Sequence, residues 1–471
     1  MSGWASTKEL VSEEFAQSIE EGKDPSAVNA LRPAWEAVGD DEAALAAIHA
    51  QLLALPIRAD YLFNEPSDFA GIRALRSAGK RRWPLVLDDA TLLDKLHGAW
   101  LGRCVGCALG KPAESIMVRT DLAAKGYGNS WERQKKYLVA VSPNEWPIRD
   151  YFPAHSPAEA ETGSLLWGAH SVRENIHFME SDDDIRYTVL GQQILQQHGR
   201  AFRSADVVGH WLCQGYRRFC TAETQAYRNF VIRGDAFRNP AVHPELDETA
   251  DWHWFVHHLN PYREWIGAQI RVDSYGYAAP GDPELAAEFA WRDARISHVK
   301  NGIYGAMFCA AMIAAAFATD DVLEIIEAAL AEIPATSRLH AELRQTIAIC
   351  EKHGNRFEHF EAVFTELHAL LGHYHFVHTN NNAALCVVAL LLSGGDFHRG
   401  ITLAVMGGWD TDCNGATVGS VVGVICGAKR APAHWTGRLN DTLKSALVGY
   451  DPIAISECAR RSLEIVHQMR G

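Results

Sequence analysis

Two short acidic clusters are the residues of this chain best suited to chemistry. One is Glu180-Ser181-Asp182-Asp183-Asp184, just ahead of the segment IRYTVLGQQIL. The other is Asp410-Thr411-Asp412, set between ITLAVMGGW and CNGATVGSVVGVICGA. Charges beside small and apolar residues are costly to bury unless something compensates them. For Asp182 to Asp184 a plain alternative exists: a solvated helix start, where carboxylates cap free N–H groups and suit the helix dipole. That alternative is weaker for Asp410 and Asp412, because both of their flanks read as buried. Carboxylates that converge in a core repel one another and shift to the neutral form unless a cation neutralises them. Oxygen donors of this kind suit Mg2+, Mn2+ or Ca2+ better than zinc. A two-metal centre that activates water and fixes substrate oxygens is the chemistry they point to.

The elements that must position these residues read as helices. From Ala90 onward the apolar spacing is helical and strand alternation is scarce. Gly98, Gly102, Gly106 and Gly110 recur every four residues, which on a helix makes one bare stripe that another backbone can approach closely. Each glycine costs about 1 kcal/mol against alanine, so four in register indicate tight packing or a site. Ala-rich segments follow at 305–318, 321–330 and 382–392, and the last long one, 414–428, is built mainly of Gly, Ala, Ser and Val. The expected fold class is therefore all-α, with a main domain over 91–471 and an N-terminal helical extension over 1–90. Within that extension Asp40 and Asp41 stand as caps for a helix that Pro56 closes. A Trp- and Pro-rich stretch, 125–180, is expected to form an irregular lid or rim.

Composition narrows the partners. The chain has 471 residues, 48% hydrophobic, and a formal net charge of -14. That balance disfavours nucleic acid and anionic membranes. The start of the chain has no basic segment followed by an apolar core, and the longest apolar runs are too short to span a bilayer. Ten scattered cysteines, several in apolar stretches, suit a reducing cytoplasm rather than a disulfide framework. There is no G-x-S-x-G elbow and no Walker-type phosphate loop.

Three motifs in order carry a resemblance to the ADP-ribosylglycohydrolase family. GAWLGRCVGCALGKPAE (98–114) resembles its Gly-rich opening motif, SDDD (181–184) its Ser/Thr-Asp-Asp-Thr metal motif, and GGWDTDCNGATVGSVVG (407–423) its Gly-Gly-Asp-Thr-Asp-Thr motif. GAQIRVDSYGY (267–277) and the pair Ser297-His298 fit two further stretches. The resemblance covers about 90–440 and implies a binuclear Mg2+ centre, with Mn2+ a possible substitute. Its implied ligands are Ser181, Asp182, Asp183, Asp410 and Asp412. It implies Glu114 and Asp183 as the groups that orient or deprotonate water, and His298, Arg271, Gly110 and Asp184 as residues toward the substrate. Three positions depart from the pattern: Cys107 stands for the usual Asp, and Asp184 and Cys413 each for a Thr. A thiol is a poor Mg2+ ligand, so one coordination site is expected to be lost, filled by water or supplied by Asp184.

The activity this implies is hydrolysis at the anomeric carbon of a ribose, through an oxocarbenium-like transition state, with an ADP-ribosyl compound, small or protein-linked, as the leading substrate. Two alternatives stay open: an N-ribosyl hydrolase of a nucleoside-like metabolite, and a non-catalytic ADP-ribose-binding or structural member. Residues 260–265 and 375–382 are secondary candidates for the leaving-group pocket, against the plainer reading of loops and helix caps.

Overall fold

The four-residue glycine spacing is what allows the centre of the molecule to be built. In the computed structural model, which describes residues 5–119, 121–122, 125–126, 128–215 and 218–470, nearly all regular structure is helical. The elements needed below are α1 (Thr7–Glu20), α2 (Glu42–Ala54), α3 (Asp89–Met117), α4 (Ser130–Val141), α5 (Asp183–His198), α6 (Lys300–Ala316), α7 (Thr379–Ser393) and α8 (Thr411–Cys426). Two two-residue strands, Thr442–Leu443 and Ile453–Ala454, pair antiparallel.

Helices α3 and α8 run antiparallel with their backbones in contact. A Cβ built on Gly98, Gly102, Gly106 or Gly110 would fall on the backbone of Gly423, Gly419, Gly415 or Thr411 in turn, and the glycines of α8 return the same contact. Only residues without side chains permit this approach, so the stripe read in the sequence is the seam between these two helices. Around the pair, α6 is buried along nearly its whole length and α7 along all of it. One large hydrophobic core joins these elements.

The extension is not a loosely appended unit. Asp41 caps α2 through the backbone N–H groups of Ala43 and Ala44. Helices α1 and α2 share a small core of Val11, Phe15, Val28, Leu45, Ile48 and Leu52. Helix α1 docks on the main body through buried charge: the Arg263 guanidinium donates to both carboxylate oxygens of Glu14, at 2.7 and 2.8 Å, and to Glu21 at 2.7 Å. Gln17 donates to Glu264 at 2.8 Å, and Arg338 ties Glu264 to Glu65. The region expected to be irregular, 125–180, contains a regular helix, α4, which carries a capping box at Asn129 and Glu132.

Candidate metal-dependent hydrolase site

The centre forms where three chain segments meet at the end of the α3–α8 seam. Glu114 lies one turn beyond Gly110 on α3. The α8 start is pinned to that turn by Thr411, whose hydroxyl donates to the Gly110 carbonyl at 2.8 Å. Asn382 on α7 accepts from the Asp410 N–H at 3.0 Å and from the Asn414 amide at 2.7 Å, which fixes the loop before α8. In that loop Gly408 and Trp409 both have positive φ, and a tryptophan in this region is strained. The third segment is the start of α5. It is aligned by an extended stretch in which Met179 donates to the Thr442 carbonyl at 2.9 Å and accepts from Lys444 at 3.0 Å. Asp182 caps α5, accepting from the Asp184 N–H at 3.0 Å.

Glu114, Asp182, Asp183, Asp410 and Asp412 thereby line one cavity of about 390 Å3, together with Lys111. Ligand oxygens of Glu114, Asp410 and Asp412 lie within 4.8 Å of one another. The ion pairs of the cluster fall elsewhere. Lys111 Nζ sits 2.8 Å from Asp182 Oδ2 and Arg103 NH2 3.4 Å from Asp184 Oδ1. Burial, then the neighbouring charges, pushes Glu114 and Asp410 well above the usual carboxylate range and Asp412 up to about 7. Burial opposes the charge on Asp182 as well, but Lys111 holds its carboxyl low. Asp410 Oδ1 is buried without a hydrogen-bond partner. Three all-oxygen donors facing one another, one of them orphaned, fit a hard divalent cation.

Other expected site residues sit elsewhere. Gly110 does not reach the cavity; its α-carbon is spent on the contact with Thr411. Arg271 is buried one layer back, paired with Glu223 and Asp293 and donating to Ser297 at 2.8 Å. Glu223, which lines the cavity, stands between it and the site. His298 is buried as well: Nδ1 lies 2.8 Å from Ser297 Oγ, Nε2 4.0 Å from Glu223, and the ring lines a different cavity, beside Trp252 and Arg295. Ser181 faces Arg186, and only its carbonyl meets the cluster, through Lys111 at 2.7 Å. Asp184 points inward to Arg103 and accepts from the Cys413 thiol at 3.2 Å.

Residues absent from the sequence reading, Trp167 first among them, build the site together with Trp265 and His375 from its secondary candidates. Trp167 Nε1 donates to Glu114 Oε2 at 3.0 Å. Trp265, stacked on His375 with centroids 4.3 Å apart, separates the metal-side cavity from a second one of about 620 Å3. Glu13, Gln17 and Glu20 of α1 form one wall of that second chamber, and Trp409, stacked on His368, forms another. His378 caps α7, accepting from Asn380 at 3.1 Å, as the plainer reading of 375–382 has it, while His375, Phe376 and Val377 line the cavity of the acidic cluster. A charged residue inside a Gly-rich apolar helix, Arg103, was a visible signal; Lys111, one helical turn before Glu114, was another.

The ADP-ribosylglycohydrolase family model matches residues 88–464. Among solved structures, an ADP-ribosylglycohydrolase-related protein complex aligns at 18% identity, with 81% of this chain and 99% of that one covered and a TM-score of 0.46. No curated protein matches. No helix among the described residues is long and apolar enough to cross a membrane. With the family match spanning most of the chain, this protein belongs to the ADP-ribosylglycohydrolase family of glycosidases.

Proposed function

We propose that this chain hydrolyses a ribosyl N- or O-glycosidic bond, that of an ADP-ribosyl compound, in a reaction that depends on a divalent cation of the Mg2+ or Mn2+ class. The observation that carries the reading is the oxygen-only group Glu114, Asp410 and Asp412 on the wall of a cavity, without an ion-paired basic partner among the described residues. Such a group is self-repelling when empty, and a chain that had no use for a cation gains by neutralising one of the three. Glu114, Asp410 and Asp412 would hold the cation, which would supply Lewis-acid activation of a water and a hold on substrate oxygens. Glu114, held by its helix and by Trp167, would take the proton of an attacking water. Asp182 and Asp183, which line the same cavity, would stabilise the positive charge that develops at the anomeric carbon in the transition state. Trp265 and the second chamber behind it offer aromatic surface to the part of the substrate beyond the ribose.

The test is to incubate the protein with Mg2+ or with EDTA against ADP-ribosyl-arginine, ADP-ribosyl-serine, ADP-ribose 1''-phosphate and a nucleoside panel, following products by mass spectrometry. EDTA-sensitive release of ADP-ribose, lost in Asp412→Asn, is the expected result. Release of free ribose from a nucleoside would replace the substrate class. No turnover together with no cation binding would overturn the reading.

A further inference from the structure

We infer that this centre takes one divalent cation, not two, and that the Lys111 ammonium holds the second position. The inference rests on the metal-dependent reading above and concerns the donors on the inner side of the cluster. On the cavity side the group Glu114, Asp410 and Asp412 is all oxygen. On the inner side the two candidate groups are Cys107 with Asp182 and Asp184, and Asp184 with Asp412 and Cys413, and each includes a thiol.

Three observations set the inner side against a second hard cation. The thiols are the wrong donors: a neutral thiol is a poor ligand for a hard cation. Cys413 donates its proton to Asp184 at 3.2 Å, and Cys107 is fully buried on α3. The carboxylates are also already matched with cations. Lys111 Nζ lies 2.8 Å from Asp182 Oδ2 and 2.7 Å from the Ser181 carbonyl. Arg103 meets the Asp184 carbonyl at 2.7 Å and its Oδ1 at 3.4 Å while paired to Asp273 at 2.9 Å. Finally, these cations are carried by the fold rather than recruited. Arg103 is fully buried, and Lys111 lies on α3 three residues before Glu114, so the helix that delivers the carboxylate delivers the ammonium too. Mg2+ demands six close oxygen ligands in near-octahedral geometry; here it would have to displace an ammonium, bind beside a guanidinium and use thiols. The Lys111 ammonium, which also lines the cavity, presents a fixed positive charge where a second ion would otherwise face substrate oxygens.

The experiment is to strip the full-length protein with EDTA, titrate it with Mn2+, count bound ions by equilibrium dialysis and record the EPR spectrum. One ion per chain, with the hyperfine pattern of an isolated Mn2+, is expected. The triple variant Cys107→Asp, Lys111→Ala, Cys413→Thr should take a second ion and show the broadened spectrum of a coupled pair, whereas Cys107→Asp, Cys413→Thr, which keeps the ammonium, should still take one. Two ions of comparable affinity in the unaltered chain would overturn the inference and leave the metal-dependent reading standing. Binding of no ion would overturn both. A second ion in the folded double variant would overturn the role given to Lys111, and a folded triple variant that still takes one ion would overturn the roles given to Lys111 and the thiols together. The count on the unaltered chain decides the main point even if the variants fail to fold.

Discussion

Replacing Gly110 by alanine tests whether the helix seam sets the geometry of the centre. The added Cβ would fall on the Thr411 carbonyl and the Asp412 N–H, backbone against backbone, so no rotamer change relieves it and the helices must part. Restoring ordinary contact at that crossing takes a shift on the order of 1 Å. Overpacking of this kind costs about 3 kcal/mol, at the upper end of its usual range, and the better helix propensity of alanine returns about 1 kcal/mol. The net loss is about 2 kcal/mol, or a melting temperature lower by roughly 2 °C for a chain of this size. Gly98→Ala meets the same kind of contact at the far end of the seam, against the carbonyl of Gly423, and should lose similar stability. The two variants differ in what the shift moves. At Gly110 it separates Glu114 from Asp410 and Asp412; at Gly98, twelve residues and about 18 Å of helix away, it does not. Misplacement by about 1 Å at a reacting centre can cost on the order of 100-fold in rate. Melting curves and Mn2+ titrations of both variants, with Gly437→Ala as a control whose Cβ meets nothing, make the assay. Equal loss of cation affinity in Gly98→Ala and Gly110→Ala, or unchanged melting in both, would refute the reasoning.

Further outcomes follow from the site and from the docking of α1. In EDTA, Asp412 is held near 7 against an ordinary value of 3.8, so its contribution to stability is complete below about pH 4 and is lost as the pH rises through 7, by up to about 4 kcal/mol. Asp412→Asn should therefore melt above the unaltered chain at pH 8 but not at pH 4, with the advantage abolished by Mg2+; a variant less stable at both pH values contradicts this. Trp167→Phe removes the donor to Glu114 and should lower kcat/KM by about tenfold, the loss of roughly 1.5 kcal/mol expected for a hydrogen bond to a charged group; unchanged kinetics would remove Trp167 from the site. Arg263→Met strands Glu14 and Glu21 in the interior, at a cost of about 3–5 kcal/mol. Limited proteolysis should then cut within the first sixty residues, and continued protection of α1 would show that apolar contact alone holds it.

The parts of this molecule that were legible in the sequence are those that leave a local mark. Helical spacing announced the all-α fold, and the glycines of α3 and α8 announced a close backbone contact, since nothing larger fits there. The acidic residues Asp182, Asp183, Asp410 and Asp412 stood out because charge beside small apolar residues is conspicuous, and the structure brings all four to one cavity with Glu114. Motif position was a poorer guide to which side of a segment faces the cavity. Gly110, Arg271 and His298 lie in matching stretches, yet each points into packing or into a buried ion pair. What α1 contributes was not legible at all. Its partners Arg263 and Glu264 lie more than 240 residues along the chain, and an ion pair over that distance leaves no periodic trace.

The Thr411–Gly110 bond joins residues 301 positions apart, which has a consequence for how the protein comes into being. Synthesis at about 5–20 residues per second puts roughly 15–60 s between the appearance of Glu114 and that of Asp410. During that interval α3 is on the ribosome with its bare glycine face uncovered and its carboxylate lacking two of its partners. The nascent chain therefore cannot capture a cation at this centre until its C-terminal fifth emerges. Folding dominated by such distant pairings is intrinsically slow, and the step that closes the helix seam is also the step that creates the metal site.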